Sequence, residues 1–147
     1  MSHSYSQNHL YIIFSTKDRQ KLIAPAMQPK LWSYMAGIAR NHGFLVLANG
    51  GMSDHVHLLI QLPPVLALAE AISVVKTNSS RWMNEHGMNF NWQEGYGAFS
   101  VSASNLGTVE RYVANQERHH RKKTYEQEFE GLLRKHGIPF DPKYVFG

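Results

Sequence analysis

The chain has 147 residues, no cysteine and a formal net charge of +4 at pH 7, and no apolar run approaches the roughly 18–20 residues that a membrane span needs. We therefore expect one domain spanning residues 1–147 and a cytoplasmic location, because the start of the chain has neither the basic nor the apolar part of a signal peptide. Without cysteine, disulfides, cysteine-bound zinc and thiol catalysis are excluded, and a metal would need His, carboxylate or amide ligands, which favours Mg²⁺ or Mn²⁺.

The first third of the chain predicts a strand, a helix and a second strand. Residues 10–14 form an apolar, β-rich run. Helical spacing follows in four residues: Leu31, Met35, Ile38 and His42. Gly43 then ends that helix, and residues 44–47 predict the second strand, with a hairpin turn at Gly50 and Gly51.

The middle of the chain predicts a third strand and a second helix. Residues 55–62 alternate, so that one face carries His55, His57, Leu59 and Gln61. Two prolines stop this strand. The buried stripe of the next helix is Leu68, Ile72, Val75, Ser79 and Trp82, and Gly87 ends it.

The last third predicts a fourth strand over residues 96–102 and two more helices. One helix begins at Asn105 or Thr108 and runs through about His120, and the other covers residues 126–136. The order β-α-β-β-α-β followed by helix is typical of the α+β, ferredoxin-like split βαβ fold, an antiparallel sheet with helices on one face. We expect its other face to be open to a ligand or a second subunit.

His55, Val56 and His57 form the sharpest local feature. Side chains two apart on a strand point the same way, roughly 7 Å apart, so both imidazoles can reach one ion. The alternative is an ordinary histidine pair on a sheet surface.

Tyr112 and Gln116 are four residues apart on the predicted third helix, so the hydroxyl and the amide are expected to project from the same face. A phenol is a poor nucleophile at its ordinary pKa, and a nearby cation or base would activate it. No general base is evident in the sequence. The alternative is a half-buried aromatic beside a solvated glutamine.

Four segments resemble the IS200/IS605-type transposases, the single-tyrosine HUH family, whose relatives include REP-associated tyrosine transposases. The His-hydrophobe-His within residues 52–60 is similar to the HUH signature. Residues 10–17 resemble the family's opening strand, and residues 92–102 the segment that leads into its fourth strand. Arg111 and Tyr112, with Gln116, resemble its catalytic-helix motif, and the resemblance spans about residues 9–141.

This resemblance implies a metal-dependent transposase that cleaves and rejoins single-stranded DNA at hairpins. It implies His55, His57 and Gln116 as ligands of Mg²⁺ or Mn²⁺, and Tyr112 as the nucleophile that forms a 5′-phosphotyrosine. The helix that carries Tyr112 would be a C-terminal catalytic helix. A homodimer is also implied, in which the tyrosine helix can act in trans on the partner's metal site.

Basic residues provide candidate contacts to the DNA backbone. They lie in two clusters and on the second predicted helix: Lys17, Arg19 and Lys21; Arg118, Arg121, Lys122 and Lys123, with His120 one turn beyond Gln116; and Lys76 and Arg81. A solvated surface role is the alternative for each. The tryptophans Trp32, Trp82 and Trp92 are expected in the core.

Three other functions stay open. A domesticated relative that processes hairpins for its host would share the same motif residues. A non-catalytic nucleic-acid-binding module on a ferredoxin-like sheet would leave the histidine pair, Tyr112 and Gln116 without a role. A metal-dependent hydrolase that uses His55 and His57 would leave Tyr112 unexplained and would release free DNA ends.

Overall fold

A computed structural model of the chain describes residues 4–116, 123–143 and 145–146. Its strands are β1 (His9–Ser15), β2 (Leu45–Met52), β3 (His55–Gln61) and β4 (Gly97–Val101). Its helices are α1 (Gln28–Asn41), α2 (Leu68–Glu85), α3 (Leu106–Ala114) and α4 (Tyr125–Lys135). None of the helices in these described ranges is both long enough and apolar enough to cross a membrane.

The four strands form one antiparallel sheet in the order β2-β3-β1-β4. The central strands β1 and β3 pair along their whole length, from His9 opposite Gln61 to Ser15 opposite His55. Helix α1 connects β1 to β2 along the chain, but β3 lies between these two strands in the sheet. The βαβ unit is therefore split. The predicted α+β, ferredoxin-like fold is confirmed.

Both faces of the sheet are covered, so the expectation of an open face is wrong. One face packs α1 and α2 against alternate β3 residues, among them Val56, Leu58 and Ile60. The opposite face packs α3 and α4 against Tyr11 and Leu59. The physical reason is the apolar stripe of α4, formed by Tyr125, Phe129 and Leu133, which is buried against this second face.

Gly50 and Gly51 do not form the predicted hairpin turn. They lie within β2, which continues to Met52, and the turn follows at Ser53 and Asp54. A Cβ atom on Gly50 would overlap the backbone carbonyl oxygen of Val113. Glycine at this position therefore lets the backbone of α3 lie directly against β2.

Helix α3 is shorter than predicted. It ends at Ala114, because Asn115 has φ −108° and ψ 36° and so leaves the helical conformation. Its predicted continuation to His120 falls outside the described residues. Tyr112 therefore lies in the last turn of α3, beside the sheet face that carries Tyr11 and Leu59.

Candidate metal and tyrosine site

The two histidines of β3 are both fully buried between the sheet and the helices α3 and α4. Their side chains lie on the same face, as the alternation of the strand predicts, and their ring centroids are 4.9 Å apart, closer than the roughly 7 Å expected from the strand rise. The His55 ring lies 4.9 Å from that of Tyr125 on α4, and the His57 ring 6.3 Å from that of Tyr112 on α3. The strand thus presents both imidazoles to the same interior space.

Each of these histidines has a hydrogen-bonding partner on its Nδ1 atom. His55 Nδ1 lies 2.7 Å from the Asp54 carboxylate. His57 Nδ1 is hydrogen-bonded to the hydroxyl of Tyr11 on the neighbouring strand β1. Such contacts fix the orientation of an imidazole and its tautomer, which is how proteins prepare histidines that bind metals through Nε2.

Glu128 of α4 adds a carboxylate to the histidine pair. Its side chain is 4 % exposed, and its Oε1 lies 2.9 Å from His57 Nε2. One ligand atom from each of His55, His57 and Glu128 lies within 4.8 Å of the other two. Two imidazoles and a buried carboxylate are a donor set that accepts a divalent cation, since a buried anion needs a compensating positive charge. The cluster can therefore hold a metal ion.

Tyr112 joins this cluster through the same carboxylate. Its hydroxyl donates a hydrogen bond to Glu128 Oε2, while Oε1 faces His57. Burial, and then the hydrogen bond to Glu128 and its negative charge, raise the pKa of Tyr112 above the ordinary value. One carboxylate links the candidate nucleophile to the candidate metal ligands.

Gln116 follows the end of α3 by two residues, because Asn115 leaves the helical conformation. Its side chain is buried, and its Nε2 donates to the backbone carbonyl of Tyr112 at 3.0 Å. Within the described ranges its Oε1 atom has no hydrogen-bond partner. A buried amide oxygen of this kind suits a hard cation, and Gln116 stays a predicted ligand.

Sequence reasoning did not single out Glu128, although a signal was present. It lies three residues after Tyr125 and one before Phe129, on the buried side of an amphipathic helix. A carboxylate on an apolar stripe is unusual and indicates a buried partner. The sequence does not show that this partner is His57, because β3 lies far from α4 in the sequence and only the folded structure brings the two together.

The described basic residues differ in their surroundings. Lys17, Lys21, Arg81 and Lys123 are exposed. Arg19 instead forms an ion pair with Glu126 on α4, with 2.8 Å between Nε and Oε1. The remaining predicted contacts, Arg118, His120, Arg121 and Lys122, lie outside the described residues.

Lys76 is held by the segment that precedes β4. Its Nζ donates to the backbone carbonyls of Gln93 and Gly95, both at 2.8 Å, and to that of Glu94 at 3.2 Å. Burial lowers the pKa of Lys76 to about 8. The ammonium thus anchors the loop that leads into β4.

The tryptophans belong to the core between the sheet and the helices α1 and α2, as predicted. Trp92 is buried and donates to Ser79 Oγ at 2.9 Å. Trp82 stacks on Tyr34, with 4.8 Å between ring centroids.

Comparison with known protein families identifies the family of this chain. The family described as "Transposase IS200 like" matches residues 4–116. The ISDra2 transposase TnpA of Deinococcus radiodurans is 25 % identical over 119 residues, which cover 75 % of this chain and 84 % of that protein.

Two solved structures share the fold. A candidate transposase from Deinococcus radiodurans R1 superposes with a TM-score of 0.64 at 22 % identity, over 79 % of this chain and 95 % of the other. A REP-associated tyrosine transposase bound to a REP hairpin superposes with a TM-score of 0.57 at 12 % identity, over 77 % and 68 % of the two chains.

Proposed function

Because the chain belongs to the IS200-like transposase family, we propose that it cleaves and rejoins single-stranded DNA through attack by Tyr112 on a backbone phosphate, assisted by a bound divalent ion. The observation that carries this proposal is the continuous contact from Tyr112 through Glu128 to His57. It joins a hydroxyl nucleophile to a cluster that can hold a cation, inside one chain.

The residues that would hold the ion are His55, His57 and Glu128, with Gln116 as a further predicted ligand. Mg²⁺ or Mn²⁺ bound there would polarise the scissile phosphate and stabilise the charge that develops on it. The carboxylate and amide oxygens favour these hard cations, and the absence of cysteine removes the soft ligands that zinc often uses.

Tyr112 would act as the nucleophile. Its hydroxyl oxygen attacks the phosphorus and gives its proton to Glu128, which accepts its hydrogen bond. The bond from phosphorus to the 3′-oxygen breaks and that oxygen takes a proton from water, so that a 5′-phosphotyrosine and a 3′-hydroxyl result. The hydrogen bond to Glu128 orients the phenol oxygen before attack. Attack by a 3′-hydroxyl of another DNA end reverses the step and rejoins strands with no external energy source, because the phosphotyrosine conserves the phosphodiester bond.

The contacts of Tyr112 support attack in cis. Its hydroxyl and ring reach Glu128 and His57 of its own chain, so the proposed nucleophile lies beside two of the proposed ligands within one chain. A homodimer, predicted from the family resemblance, is compatible with this arrangement and stays a prediction.

Single-stranded DNA with hairpin ends is the proposed partner. A structural relative is bound to a REP hairpin, and the exposed side chains of Lys17, Lys21, Arg81 and Lys123 would contact phosphates. Arg118, His120, Arg121 and Lys122 stay predicted contacts. The cytoplasm is the proposed location, because the proposed substrate is DNA.

The proposal is tested by incubating the protein with end-labelled single-stranded hairpin DNA from the flanks of its own gene, with Mg²⁺, Mn²⁺ or EDTA. We expect a protein–DNA adduct that survives denaturation, needs the metal and is absent from the Tyr112→Phe variant. Tyr34→Phe is the matched control, because Tyr34 stacks on Trp82 on the opposite side of the sheet, where α1 and α2 pack. Cleavage that persists in Tyr112→Phe would indicate a hydrolase, and binding without an adduct would indicate a binding module.

A further inference from the structure

A groove of about 490 Å³ lies between β4, α3 and α4. Tyr112 and Glu128 line it together with Tyr11, so the groove opens directly onto the candidate site. Its volume lies within the roughly 300–1,000 Å³ that is usual for small-ligand sites, which is enough for parts of one or two nucleotides. Any substrate that reaches the Tyr112 hydroxyl through the groove must also contact its walls.

The exposed lining of the groove is cationic. Lys123, at the start of the chain segment that leads into α4, and Lys135, in the last turn of that helix, are both exposed. Among the described lining residues Glu128 is the one carboxylate, and it is buried against Tyr112 and His57. The charge that an incoming ligand meets is therefore positive, which favours a polyanion over a neutral protein segment.

The remaining walls suit a single-stranded nucleic acid. Hydroxyl and amide side chains from β4 and the start of α3 are exposed along one side: Ser100, Ser102, Asn105 and Thr108. Near the other side the His136 ring lies against Phe99, with 4.5 Å between centroids and 29° between planes. Such a pair offers a flat edge against which a base can pack, and the polar side chains offer donors to phosphate or sugar oxygens.

We infer that this groove binds the unpaired nucleotides next to the phosphate that Tyr112 attacks, with Lys123 and Lys135 on the backbone. The inference rests on the proposed function, because the position of Tyr112 decides which phosphate lies at the end of the groove. The inference gives the single-stranded DNA a specific route to Tyr112, which the two predicted basic clusters alone do not define.

Gly131 allows the groove to be filled without damage to the helix. It lies on α4 and lines the groove, and a Cβ atom there would meet nothing within 4 Å. Gly37 on α1 is the matched control, because a Cβ atom there also meets nothing within 4 Å. We expect Gly131→Met to weaken binding of a labelled oligothymidylate by about tenfold, the loss of one stacked base, and Gly37→Met to leave it unchanged.

Charge reversal tests the backbone contacts separately. If Lys123 and Lys135 each contact a phosphate, the Lys123→Glu/Lys135→Glu variant should lower the slope of log affinity against log salt by about 1.4, since each single-strand contact contributes about 0.7. The control is Lys30→Glu/Arg40→Glu, which makes the same change in net charge at exposed positions on α1. Its slope should stay near that of the wild type.

Two results would overturn the inference. One is equal oligothymidylate binding by the groove variants and their controls. The other is a change of oligomeric state in Gly131→Met with unchanged DNA binding, which would make the groove a subunit interface. Failure of the proposed function looks different, because the wild type itself would then form no adduct, while the binding comparison would still report on the groove.

Discussion

The hydroxyl of Tyr112 on α3 donates a hydrogen bond to Glu128 on α4, and the other oxygen of the same carboxylate faces His57 on β3. Two helices and a strand that lies far from them in the sequence thus meet at one buried side chain. A carboxylate in this place can serve both a cation and a phenol. Removing it should therefore affect metal binding and the tyrosine reaction together.

The first prediction concerns Glu128 as a metal ligand. Glu128→Ala should weaken Mn²⁺ binding by at least about 10–100-fold, the usual range for loss of a supporting group at a metal site, and calorimetry measures it. The control is Glu130→Ala, which removes the same charge from a more exposed position on α4. Unchanged affinity in Glu128→Ala together with a loss in Gln116→Ala would assign the third ligand to Gln116 instead.

The second prediction concerns attack in cis. Tyr112→Phe lacks the nucleophile, and His57→Ala lacks a ligand that lies beside Tyr112 in the same chain. A mixture of the two variants should form no more adduct than either alone, because neither chain contains a complete site. Recovery of adduct in the mixture would mean that one subunit's tyrosine helix serves the other subunit.

The third prediction concerns the close contact between β2 and α3. Gly50→Ala should lower the free energy of unfolding by about 1–3 kcal/mol, because the new Cβ overlaps the Val113 carbonyl and α3 must move. Urea denaturation measures the change, and adduct formation should fall as well because α3 carries Tyr112. Gly37→Ala, on an uncrowded helical face, should be neutral or stabilising by about 0.5–1 kcal/mol. Equal stability of both variants would contradict the packing described.

The pair of histidines, the sheet and most of the elements were predictable from the sequence, because each depends on a local period of residues. The alternation of β3 alone places His55 and His57 on one face. The turn predicted at Gly50 and Gly51 is wrong, because glycine is equally favoured in a turn and where the backbone of a helix lies against a strand. That Glu128 is the partner of Tyr112 could not be predicted, since it depends on how α4 packs against the sheet.

The fourth prediction is an alkaline loss of stability. Burial is the largest cause that raises the pKa values of Tyr11, Tyr112 and Tyr125 above the ordinary 10.0. Above about pH 10 the unfolded chain ionises while the folded chain keeps these protons, so the free energy of unfolding falls as the pH rises further. Below that pH the contribution is constant.

The measurement is urea denaturation across this pH range for the wild type and Tyr11→Phe, with Tyr5→Phe as the exposed control. Lys76, whose pKa is lowered from 10.5 to about 8, acts with the opposite sign between those values, and the difference between variants removes its contribution. Tyr11→Phe should lose less stability than the wild type. A parallel loss in all three proteins would contradict the burial of Tyr11.

The central claim, that Tyr112 becomes covalently attached to DNA, is tested most directly by identifying the attached residue. The denatured adduct, formed with Mn²⁺ on hairpin DNA, is digested with nuclease and protease, and the peptide that carries the remaining nucleotide is sequenced by mass spectrometry. The account predicts a nucleotide on the oxygen of Tyr112. A nucleotide on another residue, such as Tyr11 or Tyr125, or cleaved DNA with no modified peptide, would contradict it.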